Sequence, residues 1–225
     1  MNVLILAHGP EITPGWLTEA LEATGATHEV ADLSIGQPVP TGGWDKIVVL
    51  GGHMGAYEDG DNPWLEVEKA FIDHQLADGT PLLGVCLGSQ LIADVIGGRA
   101  YRGATTEAGL ISLERTPAGA ADATLGAIGG PVVAWHHDTF DLPPDAELLA
   151  YTSDYPHAFR YGSALGVQFH PEVTPDMWRD WIAMAGPDEL QDAGLDPDSF
   201  GQEIIAQAPR LRRQAVAFFR SWLEE

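Results

Sequence analysis

Strand-like apolar runs and amphipathic helical stretches alternate through the first hundred residues. Residues 2–7, 28–33, 46–50 and 81–85 read as strands, and 13–24 and 63–77 as helices between them. This α/β alternation predicts a mostly parallel sheet flanked by helices. Asn62-Pro63 supplies a helix start, with Asn at the cap and Pro in the first turn. From residue 110 to 169 the pattern changes to short strands at 109–114, 131–135, 147–152, 158–161 and 164–169, separated by turn-rich pieces such as Leu142-Pro143-Pro144-Asp145. These predict an antiparallel extension, after which the chain rejoins the parallel sheet. Thr174-Pro175-Asp176 opens a helix to about residue 185, and the remainder reads as helical to 223, with Asp196-Pro197 as a further start. Ala215, Phe218, Phe219 and Trp222 have the spacing of a buried face, which leaves Arg210, Arg212, Arg213 and Arg220 on the solvated side. The expectation is one domain over residues 1–225, with 175–225 a C-terminal helical segment packed on it.

Two strand ends carry chemistry. The chain's one cysteine, Cys86, sits in Gly84-Val85-Cys86-Leu87-Gly88, after the apolar Pro81-Leu82-Leu83 and before the helix-like residues 89–96. Strand, sharp turn and helix with the nucleophile at the turn is the nucleophile elbow. The flanking glycines leave room for the tight backbone, and the helix start aims free N–H groups at the sulfur. A lone G-x-C-x-G fits a small buried residue at a strand end equally well. The second segment, Gly166-Val167-Gln168-Phe169-His170-Pro171-Glu172, decides between them. His170 falls at a strand end, where open α/β sheets place ligands, and Glu172 stands two residues on. A thiol nucleophile needs a base, and the base needs an orienting carboxylate. Cys86, His170 and Glu172 supply that set in the order nucleophile, base, acid.

These segments resemble the class I (triad-type) glutamine amidotransferases, the family that includes the glutaminase domain of GMP synthetase. The nucleophile segment extends through Ser89-Gln90-Leu91, and Gly166–Glu172 is similar to the family's His-Pro-Glu segment. Gly51-Gly52-His53-Met54-Gly55-Ala56-Tyr57 resembles its oxyanion loop and Glu107-Ala108-Gly109-Leu110 its Glu-x-Gly strand start. The resemblance implies a cysteine-nucleophile amide hydrolase that releases ammonia from the glutamine side chain through a γ-glutamyl thioester. It implies Cys86 as nucleophile, His170 as base and acid, Glu172 as orienter, and the N–H groups of Gly52 and Leu87 as the oxyanion hole. Gln90 would help hold glutamine, and His136, His137 and Asp138 would line its pocket. His53 stands where the family's loop usually has proline, and His137 replaces a glycine whose backbone contacts glutamine. No synthetase segment follows, so an ammonia-accepting synthetase would be a separate partner.

Composition narrows the setting. Thirty-three acidic against 11 basic residues, a formal charge of −22, disfavour nucleic-acid binding, which needs basic patches. No 18-residue apolar run is present, so no membrane span is expected, and residues 1–7 read as a first buried strand rather than a signal segment. One cysteine points to a reducing cytoplasm. His136 and His137 are strand neighbours facing opposite ways, and the helical His spacing of zinc enzymes is absent, so no metal and no cofactor are expected. Two other readings fit the same residues. One is hydrolysis or transfer of a γ-glutamyl group from peptides, which differs only in the leaving amine. The other is a non-catalytic, partner-binding role on the same fold, against which the intact Cys86, His170 and Glu172 set argues.

Overall fold

The computed structural model describes residues 1–185, 190 and 194–225. Its elements, in chain order, are β1 (Asn2–His8), α1 (Leu17–Thr24), β2 (Thr27–Asp32), β3 (Lys46–Gly52), α2 (Trp64–Ala77), β4 (Leu82–Val85) and α3 (Leu87–Val95). Then follow β5 (Arg99–Ile111), β6 (Glu114–Arg115), α4 (Pro117–Ala121), α5 (Ala123–Gly126), β7 (Val132–Asp141), β8 (Glu147–Tyr151), β9 (Pro156–Tyr161) and β10 (Ala164–Val167). The helices α6 (Pro175–Met184) and α7 (Pro197–Glu224) complete the described order.

Eight strands form one mixed sheet in the order β2-β1-β3-β4-β10-β9-β8-β6. The first five run parallel, and β9, β8 and β6 extend the sheet antiparallel. Alternate side chains of β1 show why it lies inside: Val3, Ile5 and Ala7 enter one core and Leu4 and Leu6 the other. The first core takes Leu17 and Leu21 of α1 with Phe218, Phe219 and Trp222 of α7; the second takes Leu65 and Ile72 of α2 with Leu91 and Ile92 of α3. Helices thus cover both faces, as the sequence pattern predicts.

The structure corrects several details. The expected strands at 109–114 and 131–135 are the ends of two longer strands, β5 and β7, which pair antiparallel as a separate two-stranded sheet. The start of β5 escapes the hydrophobic pattern because it is largely exposed and its ladder breaks between Arg102 and Glu107. The short helices α4 and α5 hide in an Ala/Gly-rich stretch, where Thr116 and Asp122 cap them through side-chain oxygens. Asn62 does not cap α2; Pro63 holds the N-cap position and no side chain bonds the first turn. Thr174 does cap α6, accepting from Met177 N–H. Residues 186–189 and 191–193 of the expected C-terminal helix lie outside the described residues. The arginines of α7 are tied in: Arg212 pairs with Glu19 of α1 at 2.6 Å and Arg210 donates to the Pro131 carbonyl at 2.9 Å. No helix among the described residues is long and apolar enough to cross a membrane.

Candidate active site

Cys86 joins β4 to α3 with φ 51° and ψ −109°, and it is the one non-glycine residue with positive φ among those described. Strain of this kind costs roughly 1–3 kcal/mol and persists only where its surroundings enforce it. The glycines do so by close approach. A Cβ on Gly88 would lie 2.1 Å from the Val49 carbonyl oxygen, and one on Gly84 would lie 2.6 Å from the Gly88 backbone. The Cys86 N–H donates to Val167 of β10 at 2.8 Å, and its carbonyl accepts from Ser89 Oγ at 2.7 Å.

His170 stands just beyond β10, its N–H bonded to the Val133 carbonyl of β7 at 2.8 Å. Its Nδ1 lies 2.7 Å from Glu172 Oε1, which leaves Nε2 as the ring nitrogen for Cys86 on the same cavity wall. The ring packs edge-on against Trp181 of α6 at 5.0 Å. Burial alone would lower the His170 pKa, but the charges of Glu172 and Cys86 and hydrogen bonds to both outweigh it and hold it up to about 10. The protonated imidazolium is therefore the form this site favours for His170. Glu172 is fully buried.

The remaining sequence-predicted residues gather on the same cavity, of about 330 Å³, whose wall includes Cys86, Gly52, Gln90, His136, His137, Asp138 and His170. Leu87 sits beside it: its Cδ2 lies 2.7 Å from where a Gly52 Cβ would stand, so Gly52 and Leu87 are neighbours. Gln90 donates through Nε2 to the Asp138 carbonyl at 3.1 Å and to Gln168 Oε1 at 3.2 Å. His136 donates through Nδ1 to the same Asp138 carbonyl at 2.9 Å. His53, in the place of proline, lines the cavity and reaches Glu11 at 2.6 Å.

The family model of class-I glutamine amidotransferases matches residues 15–183. The chain belongs to this family. A glutamine amidotransferase from Thermotoga maritima has a solved structure that superposes with TM-score 0.89 at 29% identity, covering 100% of this chain and 99% of that one. The GMP synthase (glutamine-hydrolyzing) of Thermomicrobium roseum is 34% identical over 131 residues, 56% of this chain and 23% of that protein. A GMP synthase (glutamine-hydrolyzing) subunit of Thermococcus kodakarensis is 34% identical over 129 residues, 52% of this chain and 67% of that protein. The match to the Thermomicrobium roseum protein thus spans under a quarter of its length.

Three features of this amidotransferase's site escape the sequence reading. Gln168, fully buried in the strand end before His170, points Nε2 at Cys86 Sγ, 3.6 Å away. A polar residue amid Gly166–Phe169 is the available signal. Trp135 and Trp181 wall the cavity, with ring centroids 6.5 Å apart. The third is a buried cluster from three strands: Glu107 of β5, His136 of β7 and His157 of β9, with donor atoms within 4.8 Å of one another. Two imidazoles and a carboxylate are a donor set that suits zinc. In this arrangement they close on each other, with His157 Nε2 at 2.6 Å and His136 Nε2 at 3.2 Å from Glu107 Oε2. Sequence adjacency directs the metal question to His136 and His137, whereas strand pairing assembles a different set.

Proposed function

We propose that this amidotransferase hydrolyses the side-chain amide of glutamine through a γ-glutamyl thioester on Cys86. The observation that carries the reading is that strained Cys86 shares one cavity wall with His170, whose Nδ1 is paired with buried Glu172 at 2.7 Å. The Cys86 thiolate attacks the amide carbon, and the N–H groups of Gly52 and Leu87 stabilise the oxyanion. His170, as imidazolium, gives its proton to the departing nitrogen, so that ammonia leaves and the thioester remains. Neutral His170 then takes a proton from water, and the resulting hydroxide attacks the thioester. Collapse releases glutamate and restores thiolate and imidazolium. Glu172 keeps Nδ1 protonated and Nε2 directed at the reacting atoms.

The relatives named GMP synthase support an ammonia-accepting synthetase as the partner for the released nitrogen. A thiolate nucleophile with no second cysteine suits a reducing cytoplasm.

A cavity of about 330 Å³ walled by Trp135, Trp181 and Met184 favours a second substrate class, γ-glutamyl amides with a leaving amine larger than ammonia. His137, where the family has glycine, reshapes the same wall. Glutamate release should be measured for glutamine and for a panel of γ-glutamyl peptides, beside Cys86→Ala. Cys86-dependent release from glutamine supports the primary reading. Release from peptides alone supports the second, and Cys86-independent release contradicts both.

A further inference from the structure

The Gly51–Gly52 peptide is held from the side opposite the cavity. Strands β1 and β3 pair in regular register from Val3–Lys46 to Leu6–Val49, then shift by one residue so that His8 stands opposite Gly52. Such irregularities re-aim backbone groups next to active sites. Here the Gly51 carbonyl takes its hydrogen bond from a side chain, His8 Nδ1, at 2.7 Å. A carbonyl only accepts, so Nδ1 carries the proton. The ring's Nε2 lies 3.0 and 3.1 Å from the two oxygens of Glu68, and the ring stacks on Trp64 with 10° between planes. The His8 and Glu68 side chains are fully buried. Wherever the shared proton sits between Nε2 and Glu68, Nδ1 remains the donor to Gly51.

A buried ionisable pair costs desolvation that an apolar pair would not, so its retention in this core calls for another role. The geometry supplies one. In a trans peptide the C=O and N–H point opposite ways, so a Gly51 carbonyl fixed toward His8 directs the Gly52 N–H away from it. On its other side Gly51 faces the reacting groups: a Cβ there would lie 3.1 Å from His170 Cε1 and 3.6 Å from Cys86 Cβ. Two adjacent glycines leave this peptide free to turn over, which would present a carbonyl where a donor is needed. We infer that His8, braced by Glu68 and Trp64, is a positioning residue that locks the Gly51–Gly52 peptide with its N–H turned toward the oxyanion. This rests on the proposed role of Gly52.

Two substitutions separate the ring nitrogens. In His8→Asn the carboxamide N–H falls near the Nδ1 position and retains the bond to Gly51; in His8→Gln it falls near Nε2 and retains only Glu68. His8→Gln is expected to lower kcat for glutamate release by roughly 10²–10³, as for loss of an oxyanion donor, with KM and Cys86 alkylation by iodoacetamide little changed. His8→Asn is expected to retain most of kcat. In ¹⁵N-labelled protein the Gly52 amide resonance should move in His8→Gln and stay near wild type in His8→Asn. That readout separates the two proposals: wild type inert toward glutamine contradicts the amidotransferase mechanism, while the Gly52 resonance still reports the lock. Equal kcat in both variants, or an unmoved Gly52 resonance in both, overturns the inference. If His8→Gln does not fold, the ¹⁵N shifts of His8 in wild type decide, and an unprotonated Nδ1 overturns it.

Discussion

The main-chain N–H of Trp16 donates to the carbonyl of Glu172 at 2.9 Å, tying the start of α1 to the residue hydrogen-bonded to His170. Gly15 makes this approach attainable. Its φ is +50°, and a Cβ there would lie 2.0 Å from the Glu172 carbonyl oxygen and 2.9 Å from Met177 Sδ. The loop before α1 is therefore part of the site's support, and its Ile12 lines the same cavity as Cys86.

Gly15→Ala is expected to destabilise the protein by at least about 2 kcal/mol, combining a left-handed backbone with a backbone clash. Urea unfolding measures the loss. Glutamate release should fall with it even at temperatures where the variant stays folded, because Glu172 must shift. Unchanged stability would mean that Gly15 is not held against Glu172.

Gln168 bridges the thiol and the pocket wall. Gln168→Leu removes the donor to Cys86 Sγ and leaves Gln90 Nε2 short of one acceptor. The expected cost is about 1–3 kcal/mol in urea unfolding, with a slower reaction of Cys86 with glutamine. A variant as stable and as fast as wild type would remove Gln168 from the site.

The His170 pKa, about 10, exceeds its ordinary 6.5 and fixes a sign. A group raised in the folded state stabilises fully below its unfolded pKa and loses that contribution as pH climbs through the folded value. The stability difference between wild type and His170→Asn should therefore be largest near pH 6 and shrink toward pH 10, at up to roughly 1.4 kcal/mol per pH unit. Urea midpoints across that range test it, and a difference independent of pH would contradict the charged arrangement.

Glu107 gives the opposite sign. Burial raises its pKa, but the adjacent His136 ring and the 2.6 Å hydrogen bond from His157 Nε2 outweigh this and hold it well below the usual carboxylate range. Its contribution is present above about pH 4.5 and is lost on acidification. Wild type should exceed Glu107→Gln in stability most at pH 6–7, with the gap closing toward pH 3. A gap that widens in acid would show the cluster is not held by the ionised carboxylate.

The parallel half of the fold is legible because its strands are apolar and separated by helices. Cys86 and His170 are legible for a related reason: strand ends in such a sheet meet along one edge, so two strand-end residues far apart in sequence meet in space. What the chain pattern conceals depends on pairing. The first half of β5 is exposed and interrupted, so its alignment with β7, which brings Glu107 opposite His136, leaves no hydrophobic signature. His157 joins them from a third strand, and no spacing along the chain encodes that meeting. His8 lies just past the apolar run 2–7 and no motif marks it; the register shift against β3 sets it toward Gly51.

The central claim is a γ-glutamyl thioester on Cys86. Its most direct test is rapid acid quenching of enzyme mixed with glutamine, followed by peptide mapping by mass spectrometry. The mechanism predicts a γ-glutamyl adduct on the peptide bearing Cys86, absent in Cys86→Ala and accumulating when His170→Asn is supplied with an activated γ-glutamyl thioester or ester. Glutamate formed at the wild-type rate by Cys86→Ala, with no adduct on Cys86 in wild type, would contradict it.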